Sequence, residues 1–193
     1  MIAVSSFKPF AKSPEVANNQ ARAFASWLPV FNAIFYMGNP EPRLASPKTI
    51  FVPAPNPPSV RLLIQLASLM AAPSCVINAD IFLLPRAATV LRTAMRRFQA
   101  ATSFRLEFDQ DMRKARRVDN GLDLFVAHPS VWQRCWPEMP SEFRIGQPAW
   151  DSWLNAWLRE EYRMAYTDLS NHRIVFHPRH TRTQTALAKP LKP

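Results

Sequence analysis

The chain predicts an α/β domain with a mainly parallel central sheet flanked by helices. Short apolar runs alternate with longer amphipathic segments in the order strand, helix, strand, strand, helix, strand, helix, the pattern of crossover-connected parallel strands. Its 193 residues suit one domain with a sizeable core. Hydrophobic residues make up 48% and charged residues 20%, a balance that belongs to folded chains and excludes disorder.

Each element has its own signal. "MIAVSSF" is a short apolar strand that runs into the loop "SFKPFAKSPE". In "NQARAFASWLPVF", Ala21, Phe24, Ala25 and Leu28 recur at helical spacing. "AIFYM" reads as a second strand, stopped by the turn residues of "GNPEP". "TIFVP" is a third strand, followed by the proline-rich "APNPP". Ser59 caps a second helix over "SVRLLIQLASLMA". "CVINADIFLLP" then reads as the fourth strand, and the polar triplet Asn78-Ala79-Asp80 marks where it first ends. "AATVLRTAMRRFQA" is a third helix with a basic face of Arg92, Arg96 and Arg97. "TSFRLEF" and "LDLFVAH" are further strands, separated by the charged "DQDMRKARRVDNG". The domain spans residues 1–177, and residues 178–193 read as a basic tail.

The net charge is +10. Residues 1–100 hold ten Lys or Arg against three acids, Glu15, Glu41 and Asp80. Such a surface attracts phosphate in nucleotides, nucleic acids or anionic lipids. No apolar stretch is long enough for a transmembrane helix, and "MIAVSSFKPF" is not a signal peptide. Cys75 and Cys135 fit no metal-knuckle spacing and read as reduced thiols of a cytoplasmic protein. With three glycines and no "GxxxxGK", a backbone phosphate loop is not expected. Asp80 stands out: a carboxylate inside an apolar run is costly to bury without a partner. In parallel sheets ligands bind beyond the carboxyl ends of the strands, where this triplet would lie.

Four segments in order, "NAD", "GLDLFVAHPSVW", "IGQPAWDSWL" and "RIVFHPRH", resemble small glycosyltransferases of the GT-A fold, a Rossmann-like nucleotide-diphospho-sugar transferase domain. The resemblance covers about residues 1–180 and rests on the spacing of the set. It implies an enzyme that moves a sugar from a nucleotide-diphosphate sugar to a hydroxyl acceptor, with inversion. In that pattern an Asp-x-Asp motif holds a divalent metal and the donor diphosphate. Here Asn78 replaces the first acid, leaving Asp80 as the oxygen ligand for Mn2+ or Mg2+ and Asn78 as a donor contact. Arginines that neutralise the diphosphate without metal are the alternative.

The resemblance also places Asp151 where inverting enzymes keep the base that takes the acceptor's proton. Trp150 and Trp153 flank it as flat faces for a sugar or nucleobase, and Gly146 suggests special backbone geometry. His177 or His180 would reach the metal from the C-terminal side, and Arg179 a phosphate. Ser6, Phe7 and Lys8, with Arg22 on the first helix, become candidates for nucleotide contact. The partners implied are a nucleotide sugar and, given the charge, DNA or another polyanionic acceptor.

Each of these residues also has a plain structural reading. Asp80 could cap a helix or pair with an arginine. Asp151 could sit at the start of an amphipathic helix whose Trp150, Trp153, Leu154 and Trp157 face the core. The corresponding alternative for the whole protein is a non-catalytic module, binding nucleic acid or a partner on a degenerate GT-A fold.

Overall fold

In a computed structural model, residues 1–7, 13–55, 57–109, 111–147 and 149–179 are described. Lys8 and His180 lie outside the described residues, as does nearly all of the basic tail. Among these residues are nine strands and five α-helices: β1 (Ile2–Ser6), α1 (Pro14–Trp27), β2 (Ala33–Met37), β3 (Thr49–Val52), α2 (Val60–Ser68), β4 (Ser74–Ile77), β5 (Phe82–Leu83), α3 (Ala87–Arg97), β6 (Ala100–Phe108), β7 (Arg116–Ala127), α4 (Pro129–Glu138), α5 (Trp150–Glu161), β8 (Tyr166–Asp168) and β9 (Val175–Pro178).

The strands form one sheet in the order β3-β2-β1-β4-β7-β6-β9-β5, with β8 beside β6. β1 pairs in parallel with β2 and β4, and β2 with β3, while β7 runs antiparallel to β4 and β6. β6 in turn is parallel to β8 and β9. The carboxyl ends of β1, β4, β6 and β9 and the start of β7 therefore share one edge.

Side-chain alternation along the strands builds two cores. Ala3, Cys75, Ile77, Leu124 and Val126 point to the face covered by α1 and α3. Val4, Val76, Phe125 and Ala127 point to the opposite face, under α2, α4 and α5. α2 buries Val60, Leu63, Ile64 and Ala67 there, and each large aliphatic side chain removed from water contributes ~1.5–3 kcal/mol. Ser59 caps α2 as the sequence indicates, accepting from the Leu62 N–H at 3.2 Å. α1 begins earlier than its apolar periodicity suggests, because Ser13 caps it and Pro14 opens it.

One expectation is corrected. "CVINADIFLLP" is two strands, not one. β4 ends at Ile77, the Ile81 N–H bonds the Asn78 carbonyl in a tight turn at 3.2 Å, and β5 pairs antiparallel with β9. Three strands separate β4 from β5 in the sheet order, yet four residues connect them. The sheet must curl back on itself, and the turn at its fold holds Asn78 and Asp80. Among the described residues no helix is long and apolar enough to cross a membrane.

Candidate functional site

The carboxyl end of β4 is fastened to its neighbours before any ligand is considered. Ser5 Oγ donates to the Ile77 carbonyl at 2.6 Å, and the Asn78 N–H to the Asp123 carbonyl at 3.2 Å. The Asn78 side-chain amide donates to Asp123 Oδ1. Asp123 Oδ2 takes Arg105 Nη1 at 2.8 Å, and Arg105 Nη2 reaches Glu107 Oε1 at the same distance. Burial opposes the Arg105 charge, but Asp123 and Glu107 outweigh it and raise the guanidinium above its ordinary value. Burial pushes Glu107 up, while Arg105, His177 and Arg179 together hold its carboxyl below the usual range.

Asp80 lies at the same edge. Its Oδ2 is 3.4 Å from His177 Nε2, and both side chains are largely enclosed. His177 arrives because β9 pairs in parallel with β6, setting it opposite Glu107. Tyr36 is fully buried beside Asp80 between Trp27 and Phe51, whose rings stack on it at 5.9 and 6.4 Å. Burial and then the Asp80 charge raise the Tyr36 phenol, so it stays protonated, and its hydroxyl has no hydrogen-bond partner among the described residues.

Asp151 stands in the first turn of α5, half-buried, bonded to the Ser152 N–H at 2.9 Å. Burial raises its carboxyl above the ordinary range; the Asp123 charge adds to this, while the Ser152 N–H and Arg105 oppose it. Asp151 is thus within electrostatic reach of Asp123 and Arg105, the groups that hold Asn78.

The other predicted residues divide. Gly146 adopts φ 82°, the left-handed region that favours glycine. Trp150 is turned into the core against Phe125, so its ring fills space under α5 instead of offering a face to a ligand. Trp153 is partly buried and stacks on Trp157 at 6.5 Å. Ser6 is buried at the end of β1, and Phe7 meets the Tyr36 ring edge-on. Arg22 is exposed on α1, 5.5 Å from the Phe82 ring centroid. Arg179 reaches Glu107 at 3.7 Å and Asp109 at 3.6 Å.

Asp123, Arg105, Glu107 and Tyr36 are the site groups that the sequence reading misses. Asp123 carried a signal, since it interrupts the apolar "LDLFVA" just as Asp80 interrupts its own run. Arg105 carried none, because its importance lies in a bulged pairing of β6 with β7.

The donor set near Asp80 is one carboxylate and one imidazole. Among the described residues no group of three or more His, Cys, Asp or Glu could hold a metal ion. Mg2+-type cations are commonly held by one or two carboxylates together with substrate phosphates. The pair would fit a cation whose shell the oxygens of a diphosphate complete.

No known protein family and no curated protein matches the chain in sequence. Solved structures do match. One is a 4-diphosphocytidyl-2C-methyl-D-erythritol synthase of Anaerococcus prevotii, with TM-score 0.58, 9% identity, 88% of this chain and 86% of that chain covered. Another is a protein of Bacillus anthracis assigned as a glucose-1-phosphate thymidylyltransferase, with TM-score 0.54, 10% identity, and 93% and 85% covered. The chain has a nucleotidyltransferase-like fold. At these identities the likeness is one of fold alone. The single Rossmann-like α/β domain expected from the sequence is the architecture found.

Proposed function

We propose that the chain is a glycosyltransferase that moves a sugar from a nucleotide-diphosphate sugar to a hydroxyl acceptor with inversion. What supports this reading is Asp151, whose carboxyl is raised by burial and by Asp123, the residue that holds Asn78 two positions before Asp80. A proton acceptor works best when its pKa is lifted toward the operating pH. Asp151 takes the proton from the acceptor hydroxyl as that oxygen bonds to the anomeric carbon. The bond from this carbon to the diphosphate breaks, and its electron pair leaves with the nucleoside diphosphate.

Asp80 and His177 are the residues that would hold Mn2+ or Mg2+, whose contribution would be to neutralise the departing diphosphate. Ser6 and Phe7, at the end of β1, suit contact with the nucleotide, and Arg179 suits contact with phosphate. DNA or another polyanionic acceptor fits the +10 charge and the arginine face of α3. Its signature would be binding that falls steeply with salt.

Nucleotidyl transfer, which the names of the two neighbours suggest, is a second reading. It needs a cradle for a triphosphate, commonly a glycine-rich loop, and this chain has no glycine before Gly38. The deciding assay incubates the protein with a panel of nucleotide sugars and Mn2+. Release of nucleoside diphosphate supports sugar transfer; pyrophosphate release from a nucleoside triphosphate and a sugar phosphate supports nucleotidyl transfer. Asp151→Asn should abolish turnover and keep donor affinity, whereas a non-catalytic module would not register the change. A protein that binds no nucleoside diphosphate overturns the enzyme reading.

A further inference from the structure

The end of β4 contains an arrangement that the proposed chemistry leaves unused. An ionised carboxylate only accepts hydrogen bonds, so the Asn78 atom facing Asp123 Oδ1 must be the amide nitrogen. Main-chain and side-chain bonds both run from Asn78 to Asp123, which ties the two residues twice. The Asn78 side-chain oxygen, Oδ1, is thereby turned away from Asp123. Asn78 is half-buried, so it is not sealed into the core.

Asp123 itself is spent. It is 4% exposed, with Oδ1 on Asn78 and Oδ2 on Arg105. Arg105 is fixed in turn by Glu107 through both Nε and Nη2. It also needs the space left by Gly121, where an added Cβ would lie 2.8 Å from Arg105 Nε. The shifted register between β6 and β7 accompanies this placement. A carboxylate at position 78 would face a second, immovable carboxylate, and two such groups in contact cannot both ionise.

We infer that Asp123 is the positioning residue of the donor site: anchored by Arg105, it makes Asn78 a fixed, uncharged hydrogen-bond acceptor for a hydroxyl of the donor. The inference rests on reading this strand end as the donor site. It explains why an amide stands here: the neighbouring strand already supplies the acid.

The test has a stability arm and a binding arm. Asn78→Asp should lower the thermal midpoint at neutral pH, and the loss should shrink on acidification as the pair shares a proton. The exchange Asn78→Asp with Asp123→Asn restores the bond with reversed polarity, because the new amide can donate to position 78 and accept from Arg105. It should recover the midpoint and bind Mn2+ alone more tightly than the wild type. An exchange variant no more stable than Asn78→Asp overturns the inference, and this arm needs no nucleotide.

In the binding arm, calorimetry compares UDP, CDP, GDP and ADP with their 2′- and 3′-deoxy forms, and nucleotide sugars with their deoxy-sugar analogues. Removing the contacted hydroxyl should weaken wild-type binding by roughly tenfold or more, the range for leaving a buried acceptor unpaired. A penalty on the deoxynucleotides assigns the pentose; a penalty only on the deoxy sugars assigns the transferred sugar. Asp123→Asn should erase most of that discrimination while the protein still binds nucleoside diphosphate. Undiminished discrimination in Asp123→Asn overturns the positioning role. A wild type that binds no nucleoside diphosphate removes the donor site itself, a failure distinct from the stability result.

Discussion

His177 Nε2 lies 3.4 Å from Asp80 Oδ2, joining the turn after β4 to β9. Together they supply one carboxylate and one imidazole, an incomplete shell for a divalent cation. Mn2+ without nucleotide should therefore bind weakly, and adding a nucleoside diphosphate should tighten it by roughly tenfold or more, about the effect of one well-placed partner at a metal site. Asp80→Asn and His177→Ala should each remove most of this enhancement, and the double variant should do little further damage. Calorimetry of Mn2+ with and without UDP or GDP reads it out. Equal Mn2+ affinity with and without nucleotide would count against the pair.

Asp151 and Glu107 should shape stability in opposite ways. The Asp151 carboxyl is raised in the folded state by burial and Asp123. Its contribution is therefore full below the unfolded carboxylate range and is lost as pH rises through the folded value. Glu107 is depressed: burial opposes this, but Arg105, His177 and Arg179 prevail. Its contribution is present above the unfolded range and is lost as pH falls through the folded value. Thermal melts should show Asp151→Asn more stable than wild type at neutral pH and Glu107→Gln less stable, with both converging on wild type in acid. Turnover in Asp151→Asn should fall by ~100–10,000-fold, the usual contribution of a general base.

Gly121 is small because Arg105 fills the space a side chain would need. Gly121→Ala should cost about 1–3 kcal/mol, the range for overpacking. Adding Arg105→Ala to Gly121→Ala should then cost less than Arg105→Ala alone, because the clash is gone. Urea unfolding of the four proteins in the cycle would measure this coupling; strict additivity would rule it out.

The Tyr36 hydroxyl is buried without a hydrogen-bond partner among the described residues. Tyr36→Phe should keep the stacking on Trp27 and Phe51 and raise stability by about 1 kcal/mol, or ~2–4 °C in a chain of this size. Scanning calorimetry checks it, and a lower midpoint in Tyr36→Phe would contradict it.

Much of the scaffold was legible because it depends on local pattern. The apolar run "AIFYM" coincides with β2, Ser59 caps α2, and the triplet Asn78-Ala79-Asp80 ends β4 as its polarity suggests. Of Trp150, Trp153, Leu154 and Trp157, whose amphipathic spacing points to the core, three are buried and Trp153 is half-buried against them. The separation of β4 from β5 was not legible, since "IFLLP" has the same apolar signature whether it continues a strand or crosses to another. α4 was likewise missed: it opens with Pro129 at its first turn but carries Pro137 inside the helix.

By itself the sequence determined an α/β chain, a basic one, with a conspicuous acid at a strand end. Those properties reside in composition and short-range periodicity, which survive without knowledge of what lies opposite. Only the tertiary structure decided that Asp80 meets His177, that Asp123 faces Asn78, and that Arg105 lies over Gly121. The first two contacts join segments distant in the chain and the third joins consecutive strands, all through sheet register and curl, and a shift of register by one residue would send a strand's side chains to the other face.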